Sequence, residues 1–350
     1  MTLSAPWYER LGLTYPVLQA GMGGGIVKAE LAAAVSRAGG LGTVGTLAPS
    51  AYARAIRRAK ALSDGRPIAA NLLMPFVCAA HVDACLAERP AAVSLFFGHS
   101  ARTVRRLRDA GIFVLQQVGT AAEARRAVAD GADALIVQGR EAGGHLLARM
   151  PLIDALRTVV AEAGGRPVVA AGGVHDAQSA ARAAEHGAAG VAAGTRFLLT
   201  HESGAHPTYQ ERLLAARSTL VTKLFGVAWP APHRVVPNRA TERWCRRREA
   251  GPAWVAAVGA LAVPARALMS VAAGAAVIER QRVGVPLFSP QGMTAGMSSE
   301  LADVTPLYAG VCVSEIHELT GAADVVRELG AGFAQGAGQL AAGGAPSPRV

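Results

Sequence analysis

Aromatic residues are scarce, at 5% of the 350-residue chain. A core built without them must pack small side chains closely. Lysine is nearly absent; Lys28, Lys60 and Lys223 are the full set. Almost all positive charge is arginine, spread along stretches such as "RAIRRAK" and "TVRRLRDAG". The net charge of +10 would suit nucleic acid or a membrane surface. Yet the densest cluster, "RWCRRREAG", has no nucleic-acid motif around it, so solvated helix faces and no nucleic-acid partner are expected. The four cysteines, Cys78, Cys85, Cys245 and Cys312, form no CxxC or CxxxC pair and read as reduced thiols. Cys78 and Cys85, seven apart, suit one face of a buried helix. The start, "MTLSAPWYERLGLTYP", lacks a basic segment followed by an apolar one, so a cytoplasmic chain is expected. One stretch, Ala253 to Ile278, is long and nearly uncharged. It is mostly Ala and Gly and carries Pro264 and Arg266 at its middle. An arginine at a bilayer centre costs roughly 2.5 kcal/mol or more, so two buried helices and no membrane span are expected there. They could also bury a homodimer face.

What is abundant is a strand–helix beat. Short apolar runs recur as "YPVLQAGM", "LGTVGT", "PIAANLLM", "AAVSLFF", "IFVLQQV", "DALIVQG", "PVVAAGG" and "AGVAAGT". They are continuous rather than alternating, as in strands buried on both faces of a parallel sheet. Between them, helical patterns cover Lys28 to Ala38, Ser50 to Leu62, Cys78 to Glu88, Ser100 to Ala110, Thr120 to Asp130, Pro151 to Ala163 and Asp176 to His186. Eight even units predict an α/β fold, a (β/α)8 TIM barrel over residues 1–204, with a doubly wound open sheet as the rival. The beat then stops. Residues 205–302 read as a second, smaller, mostly helical domain inserted after the eighth strand, with no strand of the earlier kind. Residues 303–335 read as a helical segment packing back on the barrel, and 336–350 as a disordered tail.

In such a barrel the chemistry sits at the C-terminal ends of the strands. After the first strand comes "GMGGG", whose glycines Gly21 and those beyond Met22 let backbone approach a flat ligand. It lacks the flanks of a dinucleotide fingerprint. Asn71, Gln116 and Gln138 would turn amides into the mouth, matching the donor–acceptor edge of a flavin. "AAGGV" and "AGT", on the seventh and eighth strands, place Gly172, Gly173, Gly194 and Thr195 where barrels hold phosphate. Taken singly, each is equally a tight turn or a satisfied core amide. Together they point to FMN. "VQGREAGGH" follows the sixth strand: Gly143 and Gly144 let its loop fold close, and His145 faces a substrate. A metal at His145 with Glu141, His99 or His175 has no HxxxH or HxH pair behind it, and no GxSxG elbow supports a hydrolase.

These stretches carry a resemblance. "YPVLQAGMGG", "SRAGGLGTVG", "NLL", "VSLFFG", "QGREAGGH", "PVVAAGGV", "GTRFLLTHESGAHPTYQERLLAA" and the late "LYAG" are similar to the nitronate monooxygenases (formerly 2-nitropropane dioxygenases). That superfamily of FMN-dependent barrels also holds enoyl-acyl-carrier-protein reductases. The resemblance runs to about Gly330. It implies FMN held by the backbone of Gly21 and Met22, by Asn71 and Gln138, and through its phosphate by Gly172, Gly173, Gly194 and Thr195. It implies His145 as general base, with a small nitronate and O2 as partners, giving a carbonyl compound and nitrite. Two places depart from the family pattern: Gly21 stands where Pro is frequent, and Leu146–Leu147 follow "GGH" where x-Gly is frequent. The stretch "LFGVAWPAPHRVVPNRATERW" is nearer the monooxygenase branch. The rivals are an NAD(P)H-dependent FMN reductase of enoyl thioesters or quinones, a flavin-binding partner in a biosynthetic complex, and a flavin-free phosphate-binding barrel.

Overall fold

The computed structural model describes residues 5–227, 229–261, 263 and 278–342. The strands are β1 (Val17–Gln19), β2 (Gly42–Val44), β3 (Ile68–Leu73), β4 (Ala92–Phe96), β5 (Phe113–Val118), β6 (Ala134–Gln138), β7 (Gly144–His145), β8 (Val168–Ala171), β9 (Gly190–Ala193), β10 (Leu220–Thr222), β11 (His233–Val236) and β12 (Leu307–Tyr308). The helices are α1 (Trp7–Arg10), α2 (Ala29–Arg37), α3 (Pro49–Leu62), α4 (Ala79–Glu88), α5 (Ala101–Asp109), α6 (Ala121–Asp130), α7 (Leu152–Glu162), α8 (Ala177–Glu185), α9 (Thr195–Leu198), α10 (Pro207–Leu214), α11 (Arg239–Trp244), α12 (Ala253–Leu261) and α13 (Ala322–Ala342).

All eight expected strands form one parallel sheet, in the order β1-β9-β8-β6-β5-β4-β3-β2. Its two ends meet. Leu18 bridges Leu41 in parallel, Leu41 N–H donates to Val17 O at 2.8 Å, and Gln19 N–H donates to Leu41 O at 3.0 Å. The sheet therefore closes into a barrel, and the open-sheet rival falls. Alternation along each strand sets what lies inside. Leu18, Ala69, Leu115, Ile136 and Val169 fill the interior, capped below by Trp7 of α1, whose indole donates to Ala189 O at 2.8 Å. Val17, Ala70, Val93, Val114, Val137 and Val191 face the helices. Small residues on both sides let the helices sit close, which is how so few aromatics suffice.

Beyond the barrel the structure corrects three expectations. Residues 205–302 hold helices α10, α11 and α12 but also strands β10 and β11. These belong to a second, antiparallel sheet in the order β10-β11-β12, with β7 also paired to β11. β11 is four residues long and bracketed by prolines, and two of its three partners, β7 and β12, are far away in the chain, so its short run does not announce it. α12 is not a buried helix: Val255 and Gly259 are buried, but Trp254 is 51% and Leu261 81% exposed. The other half of that expected pair lies mostly outside the described residues. Among the described residues no helix is long and apolar enough to cross a membrane. Lastly, the expected tail from 336 begins as helix: α13 continues to Ala342 and lies along α8. A Cβ at Gly332 or Gly336 would collide with the backbone of Ala177 or Ala181. Residues 343–350 lie outside the described set.

Candidate active site

A cavity of about 920 Å³ opens at the C-terminal ends of the barrel strands and is roofed by the second sheet. Of the expected site residues, Gly21, Met22, Asn71, Gln138, Gly143, Gly144, His145, Gly172, Gly173, Gly194 and Thr195 all line it. Gln116 does not. It shares the parity of Val114 and Val118, which face the helices, and its buried Nε2 donates to Leu95 O, Gly98 O and Gln117 O at 3.2, 3.1 and 3.1 Å. The next residue, Gln117, has the parity of interior Leu115 and lines the cavity. The amide belongs to the expected strand but sits one residue later.

One wall is backbone. At Gly21 a Cβ would stand 2.5 Å from Asn71 Cβ, so any larger residue displaces that amide. Asn71 is held from two sides: its Oδ1 accepts from Ser94 Oγ at 2.8 Å and its Nδ2 donates to Thr46 Oγ1 at 3.4 Å. Gln19, wholly buried and also on the wall, accepts from Thr43 N–H at 2.9 Å. On the adjacent strand ends, Gly172 and Gly173 take φ of 117° and 77°. That conformation turns consecutive amides to one side. The N–H groups of Gly172, Gly173, Gly194 and Thr195 have no hydrogen-bond partner among the described residues. Unsatisfied backbone donors at a cavity wall need an acceptor, and a phosphate supplies several. These residues fit the phosphate and ring edge of FMN.

The opposite wall presents His145. The loop from β6 is fixed by Gln138, whose Nε2 donates to His145 O at 3.1 Å while its Oε1 accepts from Leu147 N–H at 2.7 Å. Gln138 thus holds the histidine loop as well as facing the cavity. Strand β7 then pairs His145 with His233 of β11. The imidazole is 7% exposed, and its Nε2 has no hydrogen-bond partner among the described residues. Burial pushes its pKa well below the usual value, and the nearby His233 adds to the shift, so the ring is neutral. Aromatic rings enclose it. Trp229 stacks on it with centroids 3.4 Å apart, Phe97 meets it edge-on at 6.2 Å, and Tyr308 lies 5.5 Å away. Phe97 takes φ of 60°, a strain of about 1–3 kcal/mol that non-glycine residues bear mainly at functional sites.

Phe97, Trp229 and Tyr308 were not marked by the sequence. Trp229 lies in "WPAP" and Tyr308 in "LYAG", and neither stretch shows which barrel end it will cover. Gln19 and Gln117 did carry a signal, a polar residue at an interior parity of a buried strand. His99, Glu141 and His175 do not gather around His145, and no group of three His, Cys, Asp or Glu among the described residues could hold a metal.

The sequence matches the family described as nitronate monooxygenase over residues 6–82 and 76–331. It is 37% identical over 251 residues to a (3aS,4S,5R,7aS)-5-hydroxy-7a-methyl-1-oxo-octahydro-1H-indene-4-carboxyl-CoA dehydrogenase of Mycobacterium tuberculosis, covering 69% of either chain. It is 36% identical over 281 residues to a nitronate monooxygenase of Pseudomonas aeruginosa, covering 65% of this chain and 78% of that one. Among solved structures, FabK from Thermotoga maritima superposes with a TM-score of 0.75 at 25% identity, over 97% of this chain and 99% of that one.

Proposed function

Since the chain belongs to the nitronate monooxygenase family of flavin-dependent oxidoreductases, we propose that it holds FMN in the barrel mouth and oxidises alkyl nitronates with O2 to a carbonyl compound and nitrite. The observation that carries this is the buried, neutral His145, whose Nε2 has no hydrogen-bond partner among the described residues, on the lining of a cavity whose other wall fits a flavin phosphate. The backbone of Gly21 and Met22, with Asn71, Gln117 and Gln138, would border the ring. The N–H groups of Gly172, Gly173, Gly194 and Thr195 would hold the phosphate. FMN supplies the electron-transfer chemistry that no side chain here can.

The chain's own part is proton handling and enclosure. His145 Nε2 takes the α-proton of a neutral nitroalkane. The imidazolium formed is then paired with the nitronate it has just made, and the Trp229 face covers it from the other side. Trp229, Phe97 and Tyr308 exclude water from that pair. A nitronate added ready-made needs no base. His145→Ala is therefore expected to cut oxygen uptake with a nitroalkane by two to four orders of magnitude, roughly the contribution of a general base, and with the preformed nitronate far less. Equal losses on both substrates would rule out the base role.

A second reading is favoured by size. The cavity, at about 920 Å³, is near the upper end for sites that enclose drug-sized ligands. It leaves room beside FMN for more than a small nitronate, and one relative acts on a ring-fused carboxyl-CoA thioester. On this reading the substrate is an acyl or enoyl thioester, or a quinone, with NAD(P)H as donor in the reductive direction. Anaerobic mixing of the yellow protein separates the two. Bleaching of the flavin by a nitronate and not by NADH supports the first; bleaching by NADH, reversed by an enoyl thioester, supports the second.

A further inference from the structure

Another pair of side chains on the same cavity wall remains outside the chemistry above. Cys78 and His81 stand at the start of α4, and both line the cavity. Cys78 Sγ lies 3.2 Å from His81 Nδ1. His81 Nε2 is 2.8 Å from the carbonyl oxygen of Leu47, which can only accept, so Nε2 carries the ring proton and Nδ1 is the basic nitrogen. The Cys78 N–H also points at Nδ1, from 3.2 Å, which is consistent with that tautomer. His81 is 4% exposed, while Cys78 is exposed. A nucleophile within hydrogen-bond reach of a base whose other nitrogen is anchored is the arrangement that activates a thiol.

The other three cysteines are not equivalent. Burial pushes the thiols of Cys85 and Cys312 up to about 12 and raises that of Cys245. The pair also has a structural use, since Cys78 and His81 form a reciprocal capping box on α4. Sulfur, however, is a weak acceptor, and Ser, Thr, Asp or Asn would cap better. A cap alone does not account for a thiol here. The same cavity is also lined by His145, whose buried Nε2 has no hydrogen-bond partner among the described residues. Phe76, two residues before Cys78, meets Trp229 edge-on at 5.2 Å, and Trp229 covers His145, so an aromatic wall joins the two sites.

We propose that Cys78 and His81 form a covalent capture site for α,β-unsaturated carbonyl compounds entering the cavity. The Cys78 S–H proton passes to His81 Nδ1 as the sulfur bonds to the β-carbon. The alkene electron pair moves to the α-carbon, which takes the proton back. No oxidant or reductant is consumed, and no flavin is needed, so failure here is distinct from failure of the oxidation reading.

The test uses the full chain with two probes, N-ethylmaleimide and cyclohex-2-enone, followed by intact mass and peptide mapping. The first adduct is expected on Cys78, at least tenfold faster than on Cys245. Cys78→Ser, which keeps a cap, should lose that adduct while unfolding at the wild-type temperature or above. His81→Gln, whose amide oxygen can still accept from the Cys78 N–H, should slow Cys78 labelling tenfold or more and leave Cys245 unchanged. Labelling of Cys78 no faster than Cys245 in the wild type would overturn the proposal without recourse to a variant. So would an unchanged rate in His81→Gln.

Discussion

At the scale of residues, the site rests on two histidines kept neutral by burial. His233 is wholly buried, its Nδ1 3.0 Å from Ala231 O and its Nε2 accepting from Phe225 N–H at 3.4 Å. Desolvation lowers its pKa to about 4. In the unfolded chain it titrates near 6.5. Between those values the unfolded state binds the extra proton, so stability is fully present above about pH 6.5 and is lost as the pH falls toward 4. From pH 7 to pH 5 the loss from His233 alone is on the order of 2 kcal/mol, with His145 adding in the same direction. Urea unfolding at pH 7, 6 and 5 measures it, and His233→Phe should flatten the slope. A wild-type stability independent of pH over that range would mean that neither ring is buried neutral. Burial also lowers the pKa of His145, so its ring stays unprotonated at pH values where an exposed histidine would already be protonated.

At the scale of elements, much was legible because buried parallel strands announce themselves as short apolar runs. All eight were found, and with them the turn at Gly172–Gly173 and the loop that carries His145. What failed was parity and distance. "LQQV" offers two glutamines, and only the alternation of Leu115 inside with Val114 outside decides between them. The choice has opposite consequences. Gln116→Leu leaves the carbonyls of Leu95, Gly98 and Gln117 without their shared donor and should cost about 1–3 kcal/mol of stability. Gln117→Leu should leave the unfolding midpoint nearly unchanged and weaken FMN binding about tenfold, read by flavin fluorescence titration. If Gln116→Leu instead weakens FMN and spares stability, the assignment of faces along β5 is wrong. The place of β7 in the antiparallel sheet was invisible for another reason. β7 is two residues long, and its partners on β11 lie 88 to 90 positions away, so neither propensity nor period reaches it. The same holds for Trp229, which reaches His145 only once that sheet has formed.

At the scale of the whole molecule, the question is whether the barrel and the antiparallel sheet fold as one. The chain crosses between them repeatedly. β7 leaves the barrel between β6 and β8 to pair with β11. Gly310 N–H donates to Thr195 Oγ1 at 2.9 Å, and Val311 N–H to Glu141 O at 3.0 Å. A boundary near residue 204 therefore divides the sequence without dividing these interactions, and α13 returns to the barrel after the sheet is complete. The proposed FMN site draws on both parts, since the phosphate wall comes from β8 and β9 while His145 is fixed by β11. A ligand bound by the native state alone stabilises it by about 2.7 kcal/mol at a hundredfold excess over Kd. In a chain of this size that corresponds to a rise in Tm of a few degrees. Calorimetry of the apo and FMN-loaded protein should then show one transition, moved upward as a unit. Two transitions, of which FMN shifts only the first, would separate the barrel from the sheet as folding units. The sheet would then be a cover laid over a site that the barrel completes by itself.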